Sequence, residues 1–145
     1  MSNPRHARGF RDLLVYQKAH EVAKGIFEVS KCFPKEELYS LTDQKRRASR
    51  AIGAQIAEAW GKRRYEKHFV SKLTDADAEQ METQHWLDMA TSCGYMPKVE
   101  KEILETHLKE IGRMLNAMMA KAHLFCKKDI FMVQEQTDTF LTEDD

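Results

Sequence analysis

Leu104, Leu108, Ile111, Leu115, Met118, Ala122 and Phe125 recur at alternating spacings of four and three residues, without a break. That period follows the 3.6-residue turn of an α-helix and lines these side chains along one stripe. Ile103, Met114 and Met119 widen the stripe beyond what one seam needs. Pro97, a favourable first-turn residue, opens the segment, which is expected to run to Cys126 or Lys128. A rod with one apolar face has to bury that face against other elements, so the rest of the chain must supply partners.

Three further segments do so. From Arg11 to Cys32, Val15, Ala19, Val22, Ile26, Val29 and Phe33 keep the same period, with Lys18, Glu21, Lys24, Glu28 and Lys31 opposite. Pro34 ends that helix or opens a turn. A second helix is expected from Ser40, with Asp43 as its capping-box partner, to Gly61. Its stripe is Leu41, Ala48, Ile52, Ile56 and Ala59, interrupted where Lys45 occupies an apolar position. That lysine is expected to snorkel, to face a subunit boundary or to weaken the packing. The third helix spans Tyr65 to Cys93 on Tyr65, Phe69, Leu73, Ala76, Gln80, Thr83, Leu87 and Ala90. Val70, Met81 and Trp86 lie off that line, so apolar surface is left over for contacts between copies of the chain. Short connections between four such helices predict an all-α, antiparallel up-down-up-down four-helix bundle. The bundle domain is placed at residues 11–128, between a basic N-terminal tail, 1–10, and an acidic C-terminal tail, 129–145.

The chain has 145 residues, enough for one sizeable core, and 23 basic against 23 acidic side chains. Neutrality would argue against a polyanionic partner if the charges were mixed. They are segregated. Residues 1–72 carry 16 basic and 8 acidic side chains, and residues 73–145 carry 7 and 15. The total is a cancellation of +8 against −8. No apolar run reaches membrane-spanning length, and no apolar region follows the basic start, so a cytoplasmic protein is expected. Cys32, Cys93 and Cys126 are odd in number and widely spaced, which predicts free, buried thiols rather than a disulfide or zinc framework.

Catalytic chemistry is sparse. Glu82 and His85 form the sole Glu-x-x-His pair, and a di-iron bundle needs two. Gln17 and His20 share the spacing but offer an amide where a metal needs a carboxylate. No glycine-rich phosphate loop or nucleophile elbow is present. No metal or cofactor is expected, and the chain does not read as an enzyme.

The basic residues cluster. Between positions 45 and 67 lie Lys45, Arg46, Arg47, Arg50, Lys62, Arg63, Arg64 and Lys67, against Glu58 and Glu66. Arg46, Arg47 and Arg50 are expected on one broad solvent face of the second helix. Lys62, Arg63, Arg64 and Lys67 fall at its end and in the following turn, where Arg5, Arg8 and Arg11 add to the patch. Arginine suits bidentate phosphate contacts, and Tyr65 with His68 supplies rings on which unpaired bases stack. The competing reading is a basic face that meets the acidic half of a neighbouring protein surface.

The runs LVYQKAHEVAKGIFEVSKCF, PKEELYSLTDQ and RRASRAIGAQIAEAWGKR, continuing through FVSKLTDADAEQMETQHWLDMATSCGY, resemble the proteins encoded within 23S ribosomal RNA intervening sequences. Over residues 10 to 126, the family's IAE-x-x-G-K/R segment falls on Ile56, Ala57, Glu58, Gly61 and Lys62. Its Q-x-RRA segment falls on Gln44, Arg46, Arg47 and Ala48. Lys45 departs from the resemblance, standing where the family is usually hydrophobic. The resemblance implies a bacterial, cytoplasmic four-helix bundle assembled as a homopentamer, with no catalytic residues. It also implies kinship with the accessory variability protein of diversity-generating retroelements, hence structured RNA or a reverse transcriptase-like ribonucleoprotein as partner. The alternative is an oligomeric protein-interaction scaffold that binds no nucleic acid. Glu58, near the apolar side of its helix, is expected to partner a basic residue or a backbone group at a helix junction.

Overall fold

The computed structural model describes residues 7–126. Arg5 and the acidic tail lie outside the described residues, as does most of the N-terminal tail. Among the described residues the secondary structure is entirely helical. The α-helices are α1 (Leu14–Ser30), α2 (Asp43–Gly61), α3 (Glu66–Ser92), α4 (Lys98–Ala120) and α5 (Ala122–Cys126). Short 3-10 turns cover Phe10–Asp12 and Lys35–Glu37, and a π-helical turn covers Leu38–Thr42.

Five α-helices, not four, are therefore present among the described residues. The fourth periodic segment is broken at Lys121, which leaves α-helical backbone geometry at φ −113° and ψ 29°. Apolar periodicity survives the break because Ala122 and Phe125 are still buried on the far side of it. The second helix also starts differently from the capping-box expectation. The Ser40 hydroxyl donates to the Glu37 carbonyl at 3.4 Å, and α2 begins at Asp43 directly from the π turn, with no side-chain cap. The first helix starts at Leu14 rather than Arg11, since Leu13 has extended backbone at φ −72° and ψ 127°.

The long helices pack in antiparallel pairs, as the residues that meet across each seam show. Between α1 and α2, Ser30 meets Arg46 and Tyr16 meets Gly53. Glu58 meets Lys72 between α2 and α3, and Asp88 meets Lys101 between α3 and α4. Between α4 and α1, Glu110 pairs with Lys18 and Leu104 lies over Gly25. The expected stripes form the shared core, with Ile26, Ile52, Ile56, Phe69, Leu73, Leu87, Leu108, Ile111 and Leu115 fully buried. Tyr65 does not join it; it is the residue before α3, extended and 58% exposed. Leu104 and Val29 are only partly buried. The connection from α3 to α4 is a Schellman motif. Tyr95 N–H donates to the Ala90 carbonyl at 2.9 Å and Gly94 N–H to Thr91 at 3.0 Å, with Gly94 at φ +75°.

Gln80 and Thr83 put polarity inside this core. Gln84 donates to the Gln80 amide oxygen at 2.6 Å, Gln80 donates to Asp77 at 2.9 Å, and Thr83 donates to the Glu79 carbonyl. The chain of amides faces α4 at Gly112, where an added Cβ would sit 2.9 Å from Gln80 Nε2 and 3.3 Å from Asp77 Oδ1. Gly112→Ala gains about 1 kcal/mol of helix propensity but displaces a buried, hydrogen-bonded amide, a cost of about 1–3 kcal/mol. The net expected result is a lower urea midpoint. Gly25→Ala is the contrast, because its Cβ would meet Leu104 at an ordinary 3.5 Å, and its midpoint should rise. If both variants shift the same way, close approach at Gly112 is not what holds the α3–α4 register.

Lys45 resolves the interrupted stripe of α2 by being buried completely, at 0% exposure. Its Nζ lies 4.3 Å from the centre of the Phe33 ring and 3.6 Å from Met96 Sδ. Burial lowers its pKa from 10.5 to about 8, against a weaker opposing pull from Glu100. Two thiols also depart from expectation: Cys32 and Cys93 are exposed, and Cys126 alone of the three is buried. None of the three is in a disulfide.

Candidate nucleic-acid interface

The basic residues of the second helix and the following turn fall into two groups. Arg46, Arg47 and Arg50 lie on the N-terminal half of α2. The rise from Arg50 to Lys62, twelve residues on, is roughly 18 Å. The second group, Lys62, Arg63, Arg64, Tyr65, Lys67 and His68, surrounds the α2–α3 turn. The antiparallel pairing of α1 with α2 brings exposed Arg8 and Arg11 to the same end as this second group. Tyr65 and His68 face each other with ring centres 5.3 Å apart.

The arginines are held to different degrees. Arg46 Nε donates to Ser30 Oγ at 2.7 Å, and its guanidinium lies 4.7 Å from the Phe27 ring centre. Arg50 lies over the same ring at 5.6 Å and is otherwise exposed. Arg47, one turn before Arg50 and likewise exposed, lies on the side of α2 toward α3, where its charge acts on Glu79. Glu79 has a raised pKa, chiefly from burial and secondarily from neighbouring Glu82, with Arg47 opposing both. Arg63 is committed to the fold: its guanidinium sits 3.5 Å from the Trp60 ring centre and Nε donates to the Trp60 carbonyl at 2.9 Å. Burial lowers its pKa below the usual arginine range.

Phe27 and Trp60 are the platforms under the arginines, a role that the sequence reading does not assign them. Phe27 lies off the α1 stripe, which is its signal, and Trp60 precedes Arg63 by three residues, one helical turn away.

Several acids of the bundle are engaged by lysines outside this surface. Glu58 pairs with Lys72 at 2.8 Å, which holds its carboxyl below the ordinary range and raises the lysine. Lys101 binds Asp88 at 3.0 Å and Glu105 at 3.2 Å, and Glu110 pairs with Lys18. Among the described residues, Arg46, Arg47, Arg50, Lys62 and Lys67 have no carboxylate at ion-pair distance.

No metal-binding geometry accompanies them. Among the described residues no group of three or more His, Cys, Asp or Glu could hold an ion. Glu82 accepts instead from Trp86 Nε1 at 3.2 Å, and the His85 ring packs edge-on against Trp86. No helix among the described residues is long and apolar enough to cross a membrane.

Comparison with known proteins bears on this surface. A family model described as 23S rRNA-intervening sequence protein matches residues 11–117. The chain belongs to this family. The match covers α1 to α3, most of α4, and every candidate basic residue of α2 and the α2–α3 turn. The fold also resembles the crystal structure of a protein of unknown function from the S23 ribosomal protein family of Bacteroides thetaiotaomicron VPI-5482. That likeness has a TM-score of 0.67 and 26% identity, over 73% of this chain and 98% of the other. No curated protein matches.

Proposed function

We propose that this chain is a non-enzymatic, self-assembling helical protein that docks structured RNA, or a ribonucleoprotein, through the basic surface of α2 and the α2–α3 turn. The observation that carries the reading is the set Arg47, Arg50, Lys62 and Lys67, with no carboxylate at ion-pair distance among the described residues. Holding like charges together costs free energy, and phosphates relieve it while releasing counterions. Arg64 adds charge at the turn, Arg46 and Arg63 sit on aromatic platforms, and Tyr65 with His68 offers stacking faces. The family description supports RNA as the polyanion.

Assembly is the second part of the proposal. The four long helices act as an antiparallel bundle whose outer faces carry Met81 at 57%, Met89 at 42%, Val99 at 67% and Ile103 at 55% exposure. Burying such side chains between copies removes apolar surface from water, and the resemblance implies a homopentamer. Symmetry then multiplies weak phosphate contacts into avidity. These same exposed residues also favour the scaffold reading, in which another protein covers them and no RNA binds.

A salt series separates the two. Affinity for structured RNA should fall steeply with salt, and the triple change Arg47→Gln, Arg50→Gln, Lys62→Gln should lower the log–log slope by roughly one unit per residue. None of the three side chains belongs to the core, so the variant should melt with the parent. Absence of binding at low salt, or an unchanged slope, selects the scaffold. A single-chain mass by light scattering would remove the assembly.

A further inference from the structure

A groove of about 520 Å³ runs between α1 and α2. Its floor is aromatic, made by Phe10, Tyr16 and Phe27, and its α2 wall is Gly53, Ala54 and Ala57. The wall is low because the helices approach closely: a Cβ on Gly53 would lie 3.5 Å from the Tyr16 ring. His20, Lys24 and Arg50 stand at the edge, and none of the lining residues is acidic. Such a surface fits an apolar segment that carries negative charge.

The place where the described chain ends argues for a particular occupant. Cys126 lies close enough to Arg63 to act on its guanidinium, Arg63 rests on Trp60, and Trp60 is one helical turn from Ala57 in the groove wall. With Phe125 stacked on Phe69 at the start of α3, the described chain ends at the same end of the bundle as Phe10 and Ala57 of the groove. Its last seventeen residues, DIFMVQEQTDTFLTEDD at 129–145, hold six acids, no Lys or Arg, and the apolar run Ile130, Phe131, Met132 and Val133. Seventeen residues at a helical rise span roughly 26 Å, the length of α1, which also has 17 residues.

We propose that residues 129–145 dock in the α1–α2 groove, with residues 130–133 on the aromatic floor and the acids toward His20, Lys24 and Arg50. Exit point, length, apolar content and charge all match. Desolvating the aromatic floor supplies the attraction, and the charges set the direction in which the segment lies. Docking covers Arg50, so the acidic half of the chain shields part of its own basic half. The occupancy stands whether or not the protein binds RNA.

The test uses the full chain, without RNA, with a photoreactive benzophenone amino acid in place of exposed Ala54. Irradiation followed by peptide mapping should give cross-links to residues 129–145, in the mass of one chain or of two. Adding Phe131→Ser and Val133→Ser should abolish them. Cross-links to α3 or α4 peptides would overturn the proposal and assign the groove to a second copy. Absence of cross-links would overturn it, as would equal capture of the same segment from Thr106, a position on α4.

Discussion

Phe69→Ala should lower the stability of this protein by about 3–5 kcal/mol, read as a large drop in the urea midpoint. Phe69 is fully buried near the start of α3, and its ring stacks on Phe125 with centres 5.7 Å apart and planes 24° from parallel. The loss has two parts. Truncation removes the transfer energy of a whole ring and leaves a cavity in a region closed by α5. It also removes the surface against which a five-residue helix is held, and so short a helix has no stability of its own. Amide protection over Ala122–Cys126 should therefore fall further than over α1. Phe69→Leu should restore most of the midpoint without restoring the ring stack. A Phe69→Ala chain within about 1 kcal/mol of the parent would mean that this end collapses freely and that α5 is not anchored there.

Lys45→Met should have the opposite sign. The ammonium of Lys45 has 0% exposure and rests on a ring and a thioether, with no carboxylate at ion-pair distance among the described residues. A pKa lowered from 10.5 to about 8 means that the folded state binds this proton less tightly than the unfolded state. The corresponding stability is present above pH 10.5, declines as the pH falls, and is gone below about 8. At neutral pH the charged lysine thus costs the fold about 3 kcal/mol at most, and an apolar side chain of similar length relieves much of it. Lys72 and Lys101 shift the other way because their carboxylate partners raise them, so the parent curve alone mixes these effects. The difference between parent and Lys45→Met isolates one residue. It should be largest near pH 7 and shrink between pH 8 and 10.5. A variant less stable than the parent at pH 7 would show that the Phe33 contact outweighs desolvation.

The same residue marks the limit of what sequence reasoning reaches. Lys45 is legible as an exception to the α2 stripe, yet the groups that accommodate it, Phe33 and Met96, come from different connections of the fold. Periodicity reports the face a residue occupies and says nothing about what waits there. The stripes of α1 to α4 are legible because burial repeats with the helical turn, even through Gln80 and Thr83. The break at Lys121 is invisible for the same reason, since burial resumes in phase at Ala122. At the candidate interface, composition locates every basic residue but not its tether. Arg63 reads as untethered because nothing in the stripe of α2 marks Trp60 as its ring partner, and Arg46 because Ser30 and Phe27 belong to another helix. Cys32 and Cys93 lie at helix ends, where the stripe no longer dictates depth.

The antiparallel seams have an electrostatic consequence of their own. Each helix carries a dipole equivalent to roughly half a charge at either end, positive at its N-terminus. At the end bearing Lys62 and Lys67, the N-termini of α1 and α3 stand beside the C-termini of α2 and α4, so these fields oppose one another. The opposite end carries the reverse set. The backbone therefore lends the molecule little net polarity along its length, and the field it projects comes from side chains. That field can be redrawn residue by residue, or screened by salt, while the helices stay where they are.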